Sequence, residues 1–217
     1  MQSDYLYLLI SFSYIAILVA IGFLLYRYLR VSSEGVRKFI HIMTSLWIFI
    51  VEYKIDNIYL KLLGPFLFIF INGAFSFSSF SSLLGMNDRR RDNGLIYYPL
   101  SIFFLVLLEH FRVLSQSSVI GGVLSMGFGD GLAALIGTRF GKNSYLVYGK
   151  YKKSKEGTAT MFIVSLAVLL LFTELPLYYA LLVALVAAFF ENMTPLGLDN
   201  LSVPFSVAIL TEVLCSL

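Results

Sequence analysis

Long apolar stretches separated by short polar ones dominate the chain. A helix that crosses about 30 Å of hydrocarbon needs roughly 20 mostly apolar residues. The clearest run of that kind is Tyr5 to Tyr26. Further runs extend from near Phe39 to Val51, from Tyr59 towards Leu84, from Leu95 to Leu108 and from Val113 to Ile136. The last three cover Thr158 to Phe172, Leu177 to Phe190 and Leu201 to Leu217. Several are short for a full crossing, which requires polar ends buried in protein or helices that are broken or re-entrant. The pattern predicts an all-α, polytopic membrane helix bundle of seven to eight spans, forming one integral membrane domain over residues 1–217. The first run has neither a basic leader nor a small-residue cleavage site, so it reads as a retained helix.

Composition agrees. Of 217 residues 59% are apolar and 13% charged, and the mean hydropathy is +0.84. Soluble domains carry about 25% charged residues, so a soluble globule and a disordered chain are excluded. A net charge of +3 is too mild to point to nucleic acid. The single cysteine, Cys215, rules out an internal disulfide. Basic residues fall mainly in three loops: Arg27 to Lys38, Arg89 to Arg91, and Arg139 to Lys155. The positive-inside rule puts these loops in the cytoplasm and the N-terminus outside.

Four polar groups stand at the predicted cytoplasmic ends of spans. The first is Arg37-Lys38-Phe39-Ile40-His41. Helical spacing brings Arg37, Lys38 and His41 together, which suits a polyphosphate or a lipid head group. Ordinary anchoring of a helix end would also use Arg37 and Lys38, but His41 lies just inside an apolar run. The second is Gly127-Phe128-Gly129-Asp130-Gly131. A carboxylate at the centre of a membrane helix costs about 2.5–3.5 kcal/mol or more, tolerated mainly where it meets a cation, a metal or water. Small-residue helix packing explains the glycines and not Asp130.

The third group is Lys153-Ser154-Lys155-Glu156-Gly157-Thr158. Its lysines suit phosphates, and Glu156 suits Mg²⁺. The order G-x-x-x-x-G-K-[ST] is absent, so this is not a Walker A loop. The fourth runs from Glu191 to Asn200. Pro195 and Gly197 forbid one continuous helix there, so Glu191 and Asp199 sit on a folded-back turn, a plausible site for Mg²⁺ and a nucleotide. Glu109 and His110 lie on the opposite side. Asn72 and the serine-rich FSFSSFSSLL stretch read as helix-packing residues, and Arg89-Arg90-Arg91 as an orientation signal.

Taken together, RKFIH at 37–41, MGFGDGLAALIGTRFGK at 126–142, KSKEGT at 153–158 and ENMTPLGLDNLSVP at 191–204 resemble the membrane CTP-dependent lipid-alcohol kinases. That group includes phytol and farnesol kinases, dolichol kinase and the CTP-dependent diacylglycerol kinase, and the phytol kinase branch is the most similar. The resemblance covers residues 37–204. It implies phosphoryl transfer, with CTP as donor, to the hydroxyl of a prenol-type or diacylglycerol lipid at the cytoplasmic face. The expected Mg²⁺ ligands are Asp130, Glu156, Glu191 and Asp199, with Asp130 the first choice for accepting the hydroxyl proton. Arg37, Lys38, Lys153, Lys155, Gly129, Gly131, Gly157, Thr158 and Asn200 are expected around the nucleotide, with His41 assisting proton transfer. Two alternatives stay open: CDP-lipid synthesis like that of the phosphatidate cytidylyltransferases, and a small transporter using its buried acids as a cation path.

Overall fold

The computed structural model describes residues 2–77, 89–148 and 151–217, with side chains for 3–74, 93–148 and 151–217. Part of the serine-rich stretch and Lys150 therefore lie outside the described residues, as do the side chains of Arg89 to Arg91. The described chain is all-helical apart from one hairpin. In order come α1 (Gln2–Arg27), α2 (Ser33–Ser45), α3 (Trp47–Lys54), α4 (Ile58–Phe77), α5 (Arg89–His110) and α6 (Gln116–Leu124). A π-helical turn (Ser125–Asp130) leads into α7 (Gly131–Phe140). Strands β1 (Ser144–Val147) and β2 (Tyr151–Ser154) follow, then α8 (Lys155–Phe172), α9 (Leu177–Met193) and α10 (Asp199–Cys215).

The apolar runs within the described residues fall largely in helices. Among the described residues, four stretches are long and apolar enough to cross a membrane: Ser3–Arg27, Asn93–His110, Gln116–Phe140 and Lys155–Phe172. Leu177–Met193 and the 20-residue α4 are apolar as well. The expected second span is two helices, because the chain breaks at Leu46, whose N–H reaches back to the carbonyl of Met43 at 3.2 Å. The expected fifth span starts at Gln116 and runs past Ile136 to Phe140. The loop after it holds an antiparallel hairpin that apolar periodicity does not signal, pairing Tyr145 with Lys153.

The core is aliphatic and closely packed. Ile48, Val51, Leu105, Val106, Val119, Val123 and Val183 are all fully buried. Two prolines inside helices stitch this core to the polar end. Proline has no N–H, so it frees the carbonyl four residues earlier, and a freed carbonyl in a membrane needs another donor. In α5, Pro99 frees Leu95, whose carbonyl accepts from Asn72 Nδ2 of α4 at 2.8 Å. In α10, Pro204 frees Asn200, whose carbonyl accepts from Ser101 Oγ of α5. These bonds fasten α4, α5 and α10 at the level of Asn200.

Ser101 is fully buried. Ser101→Ala leaves a buried carbonyl without its donor, which costs about 1–3 kcal/mol. Thermal unfolding in detergent should register that loss, whereas an unchanged midpoint would mean the bond carries no load.

Candidate active site

The polar groups from distant stretches of chain meet at one end of the bundle. Asp130 closes the π-helical turn, a local widening of the helix that often marks functional positions. Glu191 lies in the last turn of α9 and Asp199 opens α10 after the turn at Pro195. One carboxylate oxygen from each of Asp130, Glu191 and Asp199 lies within 4.8 Å of the others. Like charges that close repel by roughly 3 kcal/mol per pair at an effective dielectric of about 20. Such a cluster persists only when cations answer it.

Two lysines do so. Lys38 of α2 donates from Nζ to Asp130 Oδ2 at 2.6 Å, and both side chains are buried. Lys153 of β2 donates to the Glu191 carboxylate, and to the Glu191 carbonyl at 3.0 Å. Burial by itself would lower the Lys153 pKa, but the Glu191 carboxylate outweighs it and holds the ammonium above its ordinary value. Among the described residues, no lysine or arginine forms an ion pair with Asp199.

His41 stands beside this cluster with Nε2 3.4 Å from Asp130 Oδ2. Its ring packs against Tyr98, centroids 4.6 Å apart. Asn200 is buried and its Oδ1 has no hydrogen-bond partner among the described residues. Thr158 and Asn192 bond each other at 3.1 Å, and the Tyr145 hydroxyl reaches Thr158 Oγ1 at 2.7 Å and Asn192 Oδ1. Tyr145 and Lys153 face each other across the hairpin. The hairpin thus grips two consecutive residues of α9, Asn192 through Tyr145 and Glu191 through Lys153.

Not every expected residue joins in. Glu156 is apart from the three gathered acids; its Oε1 accepts from the backbone N–H and the amide of Asn143, both at 3.3 Å. That contact ties the first turn of α8 to Asn143, and Glu156 stands outside the group of three acids. Lys155 begins α8 as an exposed residue, outside the cavity that the other groups line. Arg37 lines that cavity but is held by Glu34, with its guanidinium on both carboxylate oxygens at 2.6 and 2.8 Å. Gly129 and Gly131 face neighbouring helices, Gly129 against Met161 and Gly131 against Ile42. A Cβ at either would strike those side chains, so their small size serves packing. Gly157 does line the cavity.

Tyr98 and Tyr145 are the residues that motif reading missed, whereas Asn192 lies inside the fourth motif. Tyr98 and Tyr145 carry no signal among so many membrane tyrosines.

A cavity of about 1070 Å³ connects this charged end to an apolar slot. At one end stand Lys38, His41, Asp130, Lys153, Glu191 and Asp199. At the other are Ile15, Trp47, Pro65, Phe68 and Ile102. The chemistry available is therefore that of clustered oxygen ligands and two ammonium groups at the mouth of a hydrophobic channel.

No protein-family model matches the chain, and no solved structure matches it. A curated protein, the phytol kinase of Synechocystis sp., is 37% identical to it over 134 residues, 56% of this chain and 54% of that protein. The chain thus spans about half the length of the curated relative that it matches. The similarity supports the resemblance to phytol kinase-like lipid kinases that the four motifs carry.

Proposed function

We propose that the protein is a membrane kinase that moves the terminal phosphoryl group of a nucleoside triphosphate onto the hydroxyl of a prenol-type lipid. The observation that carries this reading is the single cavity in which three acids and two lysines open directly onto an apolar slot. A charged pocket alone would serve many reactions, and a slot alone would serve lipid transport. Their continuity fits a reaction between a polyphosphate and the end of a greasy chain. The similarity to a phytol kinase supports the acceptor class, and the resemblance in the motifs supports CTP as donor.

The three gathered carboxylates fit Mg²⁺, a hard cation that takes oxygen ligands and usually keeps waters and phosphate oxygens in its shell. Asp130, Glu191 and Asp199 would hold it, and when bound it supplies charge neutralisation for the transferring phosphate. Phosphoryl transfer depends mainly on positioning and on such neutralisation. Lys38 and Lys153, already turned into the site, are placed to hold phosphate oxygens. The hydroxyl proton needs an acceptor, and the arrangement favours Asp199 over Asp130. A carboxylate held by Lys38 at 2.6 Å is a weakened base, while Asp199 has no such partner among the described residues. His41, packed against Tyr98 with the rings tilted, marks the boundary between the phosphate end and the slot.

The positive-inside pattern supports a cytoplasmic position for this end, the side that would supply a nucleotide. A transporter would need a polar path through the bundle. The opposite end does hold charge: Lys61 pairs with Glu52 at 2.8 Å and approaches Glu109 at 3.6 Å. Fully buried Ile48, Val51, Leu105 and Val106 lie between that group and the slot, a packed layer that argues against conduction.

The test is an acceptor screen. Purified protein in detergent or nanodiscs is given γ-labelled CTP or ATP with Mg²⁺ and phytol, farnesol, a long polyprenol or diacylglycerol. Label should move to a prenol, with CTP the better donor. Label on diacylglycerol alone would overturn the acceptor class, and label on no lipid would overturn the reading.

A further inference from the structure

We propose that the acceptor's chain leaves the slot sideways, through an opening between α1 and α4, and that Trp47 closes the slot beneath it. This deepens the kinase reading and rests on it.

The floor is the first observation. Each wall of the slot stops lining the cavity at a comparable depth. On the α2–α3 wall the last lining residue is Trp47, and Ile48 and Val51 beyond it are fully buried. On α5 it is Ile102, with Leu105 and Val106 packed solid beyond. The Trp47 ring lies flush on Gly64 of α4, where an added Cβ would come within 2.6 Å of Cζ2. The residue beside that glycine, Pro65, is the deepest lining residue of α4. His41 marks the top of the slot, and Trp47 lies six positions further along the chain. That is about 9 Å of helical rise, room for only the hydroxyl-proximal part of a long prenol.

The opening is the second observation. Helices α1 and α4 meet at Phe12 and Phe68, whose rings lie 6.0 Å apart. One to two turns nearer the charged end, Val19 of α1 and Ile71 of α4 both line the cavity. Yet Val19 is 45% and Ile71 53% exposed. A residue that lines a cavity and faces outward at once marks the cavity's rim. Two such residues on neighbouring helices, above a closed aromatic pair, describe a door at a depth where the bundle faces hydrocarbon. A chain entering there needs no passage through water.

The site then reads the few carbons next to the hydroxyl and leaves the rest of the tail in the bilayer. Val19, Ile71 and Trp47 become specificity-determining positions. Blocking the door should harm acceptors with long tails and spare those that fit inside the slot.

The experiment uses the double variant Val19→Trp/Ile71→Trp. Both positions are outward-facing, so the larger rings do not burden the core. Phosphorylation of phytol is compared with that of the short alcohol prenol. The variant should lose about tenfold or more in kcat/KM for phytol and less than about twofold for prenol, the scale on which steric discrimination in an apolar pocket operates. Equal losses for the two alcohols, or no loss for phytol, would overturn the proposal. A second readout needs no turnover: a phytol analogue with a diazirine at the far end of its chain is photolysed on the wild-type protein. Labelling should fall on α1 and α4 around Val19 and Ile71. Labelling confined to Trp47 and Ile102 would place the whole chain inside and refute the door. If the wild-type protein phosphorylates neither alcohol the kinase reading fails, while the labelling map still decides the route.

Discussion

Asp199→Asn is expected to lower lipid phosphorylation by about a hundred- to a thousandfold, the range seen when one preorganised charge-stabilising group is removed from an active site. The substitution keeps the shape of the side chain and removes its charge. Two functions disappear together: an oxygen ligand of the proposed Mg²⁺ set, and the acid least neutralised by lysine and therefore best able to take the hydroxyl proton. The fold should not suffer. Asp199 forms no ion pair with lysine or arginine among the described residues, and its carboxylate adds to the repulsion among the three acids. Unfolding measured without divalent cations should show stability within about 1 kcal/mol of the parent or above it, the pattern of an active-site residue held against the interest of stability. Activity within tenfold of the parent would remove Asp199 from the mechanism.

The second large effect concerns Lys38 and Asp130. Their contact at 2.6 Å joins α2 to the π-helical turn across 92 residues of chain, with both side chains buried. Removing one member of a buried pair strands the other's charge, at about 3–5 kcal/mol. Lys38→Met should therefore cost about that much in thermal unfolding and abolish activity, because buried Asp130 is left beside Glu191 and Asp199 without the ammonium that answers it. Removing both charges is different. In Lys38→Met/Asp130→Asn no buried charge is stranded, so most of the lost stability should return, to within about 1–2 kcal/mol of the parent, while activity stays absent. A single variant that unfolds like the parent would show that water reaches the pair and that the site is not sealed. A double variant no better than the single one would show that the two residues do not act as a pair.

Much of this site was legible in the sequence, for a definable reason. Asp130, Glu191 and Asp199 each interrupt or end an apolar run, and a bilayer makes an acid there so costly that it signals a partner. Lys38 and Lys153 follow as the cations that such acids require. What pattern reading lacked was direction. Glu156 has the same residue type as the three gathered acids, yet it stands apart from them with its Oε1 on Asn143. Gly129 and Gly131 look like a loop that yields to a phosphate, but three-dimensional packing turns them onto Met161 and Ile42.

The fold was legible as a helical membrane bundle, because hydropathy reports where helices lie. It did not report the break at Leu46 or the hairpin, since neither changes the apolar period. Nor could it foretell that Asn72 and Ser101, which look like packing residues, serve the carbonyls freed by Pro99 and Pro204. Those partners come from other helices, and only the tertiary arrangement brings them together.

The reading that most closely competes with lipid phosphorylation is transfer of the nucleotidyl group, which the same acids and lysines could also support. The two reactions differ in which phosphorus the acceptor attacks. Purified protein should be given CTP labelled with distinguishable isotopes at the α and γ phosphates, together with Mg²⁺ and phytol, and the lipid product separated. The account predicts γ label in the lipid and α label left in CDP. Recovery of α label in the lipid with release of pyrophosphate, or a lipid fraction carrying neither label, would contradict it.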